Sequence, residues 1–193
     1  PDGSQMLYGG SIIDLLKLPE NEKLIATIDL NGVNDNCRLA MVTLTGMIKT
    51  TPALFEEKTK NGMTLINLEK GDEIVDACLV RAGDHIVIAS RSGNAIRFPE
   101  SEVNPKGPGA KAMKGMNIGE SNDTAVSITS FSPVTPIASA LETHCADEND
   151  ASEDNVSEKD LENEVEFAGM LMTASEKGFA KKTGINEYKP MHR

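Results

Sequence analysis

Residues His85 to Val103 read HIVIASRSGNAIRFPESEV, and this stretch decides the fold. The apolar run Ile86 to Ala89 is rich in β-branched residues, Gly93 stands where a tight turn needs positive φ, and Ala95 to Phe98 resumes the extended pattern. Two extended runs joined by a glycine-bearing turn are typical of paired antiparallel strands. The stretch therefore predicts a β-hairpin.

The same hairpin pattern occurs in two other places, each with its own turn glycine. Residues 39–55, LAMVTLTGMIKTTPALF, place Gly46 in the turn, and residues 169–188, GMLMTASEKGFAKKTGINEY, place Gly178 there. The strand that leaves each turn carries one or two cations; across the three hairpins these are Lys49, Arg97, Lys181 and Lys182. The sequence thus predicts three related units that each present positive charge after the turn.

A second element recurs between the hairpins. Its copies, LLKLPENEKLIAT, LINLEKGDEIVDA and GMNIGESNDTAVS, place Leu18, Leu68 and Ile118 at intervals of 50 residues. A repeat of this length built from short strands is typical of propeller-like arrays, in which no unit buries its apolar faces alone. We predict an all-β, propeller-like β-pinwheel, of which this chain supplies about three four-stranded antiparallel blades.

The repeat divides the chain into units at residues 11–60, 61–114 and 115–193. Both ends of the chain cut through a repeat, so we expect a fragment of a larger array, a partial pinwheel domain over residues 1–193. Apolar strand residues are expected to be buried within or between blades, namely Val42, Leu65, Ile74, Ile86, Ile88, Val126 and Leu171.

Composition argues against several classes of protein. No run approaches the length of a membrane span and the first residues lack a signal peptide, which predicts a soluble, cytoplasmic protein with no membrane partner. The three cysteines are widely spaced without a C-x-x-C pair, and the three histidines have no partner at ligand spacing. We therefore predict no metal, no cofactor and no catalytic group in this segment.

The motifs LLKLPENEKLIAT, MVTLTGMIKTT, GDEIVDACLV, GNAIRFPESEV, GAKAMKGMNIG and GFAKKTGINEY, in this order, resemble the C-terminal domain of the DNA gyrase A protein. The relative of that domain in topoisomerase IV is a more distant match. The resemblance covers the chain apart from its first residues and an acidic stretch, residues 136–166. It implies a pinwheel whose positively charged rim binds and wraps duplex DNA, so that ATP-driven strand passage introduces negative supercoils.

The resemblance also implies partners for the chain. They are duplex DNA, the rest of the gyrase A protein, and the gyrase B protein, with A-type and B-type subunits joined in a heterotetramer. ATP and Mg²⁺ are expected in other parts of this parent topoisomerase. The resemblance places the protein with the nucleoid in the cytoplasm, or in an organelle. The gyrase-type heptapeptide Gln-Arg-Arg-Gly-Gly-Lys-Gly does not occur in these residues, which leaves gyrase and topoisomerase IV both open.

Binding DNA without sequence preference requires cations arrayed along a surface that faces the phosphates. The predicted DNA-binding residues are Lys49, Arg97, Lys181 and Lys182 on the hairpin strands, with Lys58, Lys60, Lys106, Lys111, Lys114 and Lys177 in adjacent loops. An alternative is that strand-edge lysines only prevent edge-to-edge aggregation. A propeller-like protein-interaction scaffold without a nucleic-acid role is a further alternative.

The acidic stretch is the strongest departure from the repeat. Between Leu141 and Glu166 eleven carboxylates accompany one lysine, whereas the whole chain has a net charge of −11. Such a segment buries too little apolar surface to offset its ordering entropy, so we expect disorder over residues 136–166. Either this tethered polyanion competes with DNA for the rim, or it is an inert solubilising loop.

Overall fold

The structure, a computed structural model, describes residues 22–54, 62–119, 122–132 and 169–193. In these ranges the chain forms nine strands and two short 3-10 turns, Glu100–Glu102 and Ile185–Glu187. The strands are β1 (Cys37–Thr43), β2 (Met47–Pro52), β3 (Ile74–Arg81), β4 (His85–Ser90), β5 (Ala95–Pro99), β6 (Met113–Lys114), β7 (Ala125–Phe131), β8 (Met170–Ala174) and β9 (Ala180–Gly184). No α-helix occurs in this part of the chain, which confirms the all-β prediction.

The strands form three antiparallel sheets, each built on one of the predicted hairpins. Sheet 1 has the order β3-β1-β2-β6, sheet 2 has β5-β4-β7, and sheet 3 has β8-β9. Sheet 1 has the predicted four strands, and the described residues supply three to sheet 2 and two to sheet 3. Because β3 and β6 follow the first hairpin by more than twenty residues, sheet 1 is completed by the repeat unit at residues 61–114.

All three predicted turn glycines adopt positive φ. The values are 82° at Gly46, 90° at Gly93 and 82° at Gly178. In each turn the glycine N–H donates to the carbonyl three residues earlier, at 2.9 to 3.0 Å. A side chain disfavours this conformation, and glycine adopts it without that cost.

A distant aspartate holds the turn in the first two hairpins. Asp72 accepts from the Thr45 backbone N–H at 3.1 Å and from the Thr45 hydroxyl at 2.8 Å. Asp123 accepts the equivalent bonds from Ser92, at 2.9 and 2.6 Å. Each carboxylate thus joins a turn to the strand, β3 or β7, that pairs with the same hairpin. We call this arrangement the turn lock.

Apolar faces of successive sheets pack on each other. Ala40, Val42 and Ile48 of sheet 1 share one buried cluster with Ile86, Ile88 and Phe98 of sheet 2. On the opposite face of sheet 2, Val87 packs with Ile185, Leu171 and Tyr188 of the third hairpin region. The core therefore lies between sheets, as in stacked blades.

The burial predictions are confirmed for three of the seven apolar residues and hold in part for three more. Val42, Ile86 and Ile88 are fully buried, and Leu65, Ile74 and Leu171 are half-buried. The prediction for Val126 is wrong, because its side chain is 45% exposed. A register shift pairs Ser90 with Ala125 and Ala89 with Ser127, so Val126 is left outside the regular pairing.

One pair of hydrogen bonds recurs between sheets. Four residues after the turn glycine, Thr50 donates from Oγ1 to the carbonyl of Val103 at 3.2 Å, and its own carbonyl accepts from the Lys106 N–H at 2.9 Å. Arg97, at the same place in its hairpin, donates to the carbonyl of Tyr188 and accepts from the Met191 N–H. Val103 and Tyr188 each directly follow a 3-10 turn. We call this pair the inter-sheet clasp.

Candidate nucleic-acid interface

The structure buries Lys49, the first of the predicted DNA-binding residues. Its side chain is 1% exposed, and its ammonium group donates to the carbonyl of Leu65 and, at 2.7 Å, to the carbonyl of Gly107. Burial lowers the pKa of Lys49, and the neighbouring charge of Lys106 lowers it further. The prediction that Lys49 lies on an exposed edge is wrong.

Arg97 is also buried, at 3% exposure, between sheet 2 and the third hairpin region. Its Nη1 donates to the carbonyls of Ile185 and Tyr188, at 3.1 and 2.9 Å. Its Nε donates to Nδ1 of His85, and the guanidinium carbon lies 5.0 Å from the Phe131 ring centre. This side chain joins two sheets, so its predicted place at an exposed rim is wrong as well.

The two errors have one physical cause. Lys49 follows its turn glycine by three residues and Arg97 follows its own by four. Since side chains alternate between the faces of a strand, an offset of one residue places the two cations on opposite faces. Both faces are covered by neighbouring parts of the chain, so neither cation reaches solvent.

Exposed cations lie instead on the segment that runs beside the edge of β2. This segment, residues 104–114, we call the basic loop. Lys111 and Lys114 are exposed and Lys106 is half-buried. Backbone bonds fix the loop to the sheet, since Lys106 N–H donates to Thr50 and Lys114 pairs with Met47. Because a strand rises about 3.4 Å per residue, these two attachment points are about 10 Å apart.

Arg193, which the sequence did not single out, extends this basic surface. Its Nη1 donates to the carbonyl of Lys114 and its Nε to that of Glu102, each at 2.9 Å. The Met191 N–H donates to the Arg97 carbonyl of β5 as the Lys106 N–H donates to the Thr50 carbonyl of β2, so residues 188–193 correspond to residues 103–108. Together Lys106, Lys111, Lys114 and Arg193 form what we call the basic edge.

Two carboxylates lie close to the basic edge. Glu69 is 3.8 Å from the Lys111 ammonium, and both side chains are more than 70% exposed, so water screens this pair. Glu102 is 3.2 Å from the ring of His192, which is fully exposed. The cations of the edge thus remain accessible to a second polyanion such as a phosphate backbone.

Three further predicted residues lie on the third hairpin. Lys177, Lys181 and Lys182 are exposed, and their ammonium groups make no hydrogen bond or ion pair with other described residues. Lys182 follows its turn glycine by four residues, as Thr50 and Arg97 do. Lys58, Lys60 and the acidic stretch at residues 136–166 lie outside the described residues.

The described residues offer no arrangement for metal chemistry. Within these ranges no three His, Cys, Asp or Glu side chains are grouped so that they could hold a metal ion. No helix in the same ranges has both the length and the apolar character to cross a membrane. Cations on a β-edge, held by backbone bonds, are instead suited to contacting a line of phosphates.

One family of known proteins matches most of the described chain. The family described as DNA gyrase C-terminal domain, beta-propeller, matches residues 38–78, 84–132 and 169–193. The chain belongs to this family. The matched ranges contain all three hairpins, and they leave out residues 133–168, which include the acidic stretch.

Several gyrase proteins are similar in sequence to this member of the family. The DNA gyrase A protein of Clostridium acetobutylicum is 34% identical over 116 residues, which make up 60% of this chain and 14% of that protein. The gyrase A protein of Synechocystis sp. is 27% identical over 198 residues, covering 100% of this chain and 22% of that protein. The chain therefore spans less than a quarter of the length of these relatives.

Two solved structures share the fold. The C-terminal domain of DNA topoisomerase IV matches with a TM-score of 0.67 at 24% identity, over 96% of this chain and 47% of that one. A DNA gyrase A C-terminal domain matches with a TM-score of 0.69 at 18% identity, over 98% of this chain and 52% of that one. The propeller-like architecture predicted from the repeat is confirmed.

Proposed function

We propose that this chain is a duplex-binding and DNA-wrapping module of a type II topoisomerase, as part of a DNA gyrase A protein. In the parent enzyme it presents a DNA segment for ATP-dependent strand passage, which introduces negative supercoils. The observation that carries the proposal is the basic edge. Its three lysines lie on a segment that backbone pairing fixes, and its arginine donates to two main-chain carbonyls. Duplex DNA carries one charge per about 1.7 Å of axis, so a rigid edge of about 10 Å faces several phosphates.

The chemistry of strand passage belongs to other parts of the parent enzyme. We infer that DNA cleavage, ATP and Mg²⁺ are handled by the rest of the gyrase A protein and by the gyrase B protein in a heterotetramer, and that this segment is non-catalytic. The protein acts where the chromosome is, in the bacterial cytoplasm or in an organelle. Family membership supports each of these proposals.

Two alternatives have an observation in their favour. A topoisomerase IV-type domain, which positions DNA with less wrapping, is supported by a fold likeness close to that of the gyrase domain. A protein-interaction scaffold is supported by Met170, Met172 and Phe179, which are 65 to 73% exposed on the third hairpin. The basic edge favours DNA over this second alternative.

The test compares two triple variants by fluorescence anisotropy with labelled duplexes of different sequence. One variant is Lys106→Ala, Lys111→Ala and Lys114→Ala. The matched control is Lys23→Ala, Lys70→Ala and Arg91→Ala, which removes the same charge from exposed positions elsewhere. We expect the first to bind all duplexes more weakly, with the slope of log affinity against log salt reduced by about 0.9 per lost contact. Equal binding by both variants would overturn the proposal.

Wrapping is tested separately from binding. Nicked circular DNA is sealed by ligase in the presence of the protein, and the linking number of the product is measured. We expect a shift for the wild-type chain and none for the basic-loop variant at the same concentration. Binding without any shift in linking number would favour the positioning alternative.

A further inference from the structure

Lys49 is a cation that the DNA-binding proposal does not use directly. Its side chain is 1% exposed, and its ammonium group lies between the carbonyls of Leu65 and Gly107. A buried ammonium is retained where hydrogen bonds replace its hydration, and here two main-chain carbonyls do so. The group therefore cannot contact a phosphate, but it does fix the two segments that bear those carbonyls.

Those two segments meet beneath the basic loop. Asn67, two residues after Leu65, pairs with Lys111 of the loop, and its N–H donates to the Ala110 carbonyl at 3.3 Å. Gly107 lies next to Lys106, whose N–H bonds to Thr50. The Lys49 ammonium thus links the first half of the loop to the segment that pairs with its second half.

Among the described residues, few other hydrogen bonds hold this part of the loop in place. Residues 104–110 read NPKGPGA, with two prolines that lack an N–H and two glycines that lack a side chain. Gly109 adopts a φ of 72°, and neither glycine has a neighbour within 4 Å of an added Cβ position. Carbonyl contacts therefore dominate the attachment of residues 106–110, and Lys49 supplies one of them.

We propose that Lys49 is a positioning residue for DNA binding, which fixes the basic loop so that Lys106 and Lys111 face the duplex together. The inference rests on the proposed function. In this proposal Lys49 does not contact a phosphate. Its buried ammonium group instead fixes the positions of the exposed lysines that do. Loss of the ammonium frees residues 106–110, and the loop lysines then pay an ordering cost when they bind.

The experiment uses the full chain with Lys49→Met, which keeps an unbranched apolar stem as far as Cε and removes the ammonium group with its charge and donors. Hydrogen exchange is measured by mass spectrometry over residues 104–112, with the hairpin at residues 85–99 as the internal reference. We expect faster exchange in the loop with an unchanged reference. If the loop exchanges as in the wild type, Lys49 is not its anchor. Should Lys49→Met fail to fold, Lys49→Gln, which keeps an uncharged donor, is measured in its place with the same expectations.

DNA affinity then separates positioning from direct contact. We expect Lys49→Met to weaken binding, and to change the affinity of the basic-loop triple variant by less than about twofold, because the loop no longer contributes there. If Lys49→Met weakened DNA binding as much in the triple variant as in the wild type, and lowered the slope of log affinity against log salt by about 0.9, Lys49 would contact a phosphate directly. That result would overturn the proposal. A third outcome is that Lys49→Met speeds hydrogen exchange in the loop while the triple variant binds DNA as the wild type does. This would refute the proposed function, but Lys49 would still be shown to anchor the loop.

Discussion

The Arg97 guanidinium donates from Nη1 to the carbonyl oxygen of Tyr188 at 2.9 Å, although the two residues are 91 positions apart. Thr50 makes the corresponding bond to Val103 across 53 positions. In both cases the acceptor is the carbonyl that follows a 3-10 turn. Arg97, which the sequence analysis predicted to contact DNA, thus stabilises the stacking of one sheet on the next.

Replacing Arg97 by Met is expected to destabilise the fold by about 2–4 kcal/mol, because the carbonyls of Ile185 and Tyr188 lose a charged donor. Thr50→Val is the matched control, which removes one neutral clasp bond and is expected to cost about 1–2 kcal/mol. Urea denaturation measures both free energies of unfolding. An Arg97→Met protein as stable as the wild type would contradict the role of the clasp.

The turn glycines differ in what surrounds them. A Cβ on Gly46 would lie 2.7 Å from the Met116 carbonyl oxygen, whereas a Cβ on Gly93 would meet open space. Both have positive φ, so Gly93→Ala is expected to cost about 1–2 kcal/mol and Gly46→Ala about 3–5 kcal/mol. Denaturation of the two variants measures the difference. Equal costs would mean that the Met116 backbone moves freely.

Protonation of His85 is expected to weaken the fold. Burial lowers its pKa most, the Arg97 charge lowers it further, and Asp84 and Glu102 act in the opposite direction. The neutral ring accepts from Arg97 Nε at Nδ1. Because the folded-state pKa lies below the unfolded value of about 6.5, the unfolded chain binds more protons and stability falls as pH drops below about 6.5.

The measurement for His85 is the urea midpoint between about pH 7.5 and about pH 5. His85→Gln cannot titrate in this range and serves as the comparison. We expect the wild type to lose more stability than the variant as the pH falls. Curves that stay parallel over the whole range would assign the pH dependence to other groups.

Asp123 is expected to titrate at unusually low pH. The Ser92 hydroxyl lowers its pKa most, with further lowering from Ser90 and from two backbone N–H groups against an opposing effect of burial. The Asp123 turn lock therefore stabilises the fold above the ordinary aspartate pKa of about 3.9, and this stabilisation is lost as pH falls through the lower folded-state pKa of Asp123. Carbon-13 NMR of the carboxyl measures it. Ser92→Ala should raise this pKa and Ser127→Ala should not; identical titrations would contradict the assignment.

The local parts of the fold were predictable from the sequence. A tight turn needs positive φ at one position, so Gly46, Gly93 and Gly178 identify three hairpins without knowledge of any distant contact. The 50-residue period predicted stacked units, because a unit of this size cannot bury its apolar faces alone. Burial of Val42, Ile86 and Ile88 followed from the short apolar runs in which these residues lie.

The sequence did not predict which face each cation occupies or what covers it. Lys49 is held by Gly107 and Arg97 by Tyr188, contacts that span 58 and 91 positions. The Asp72 carboxylate holds the turn at Thr45, which lies 27 positions earlier in the chain. Arg193 joins the basic edge through the carbonyls of Glu102 and Lys114, which are 91 and 79 positions away. Each of these contacts depends on how separate repeat units pack on one another, and the sequence of a single repeat carries no information about that packing.

Both inter-sheet clasps end on main-chain carbonyls, and this has a consequence for how such arrays evolve. A carbonyl is present whatever residue occupies the position, so the receiving unit needs no matching side chain. A short neutral residue, Thr50, and a long charged one, Arg97, therefore both serve as donors. Neighbouring units can drift apart in sequence without paired compensating mutations, and a lineage can gain, lose or exchange units while the stack persists.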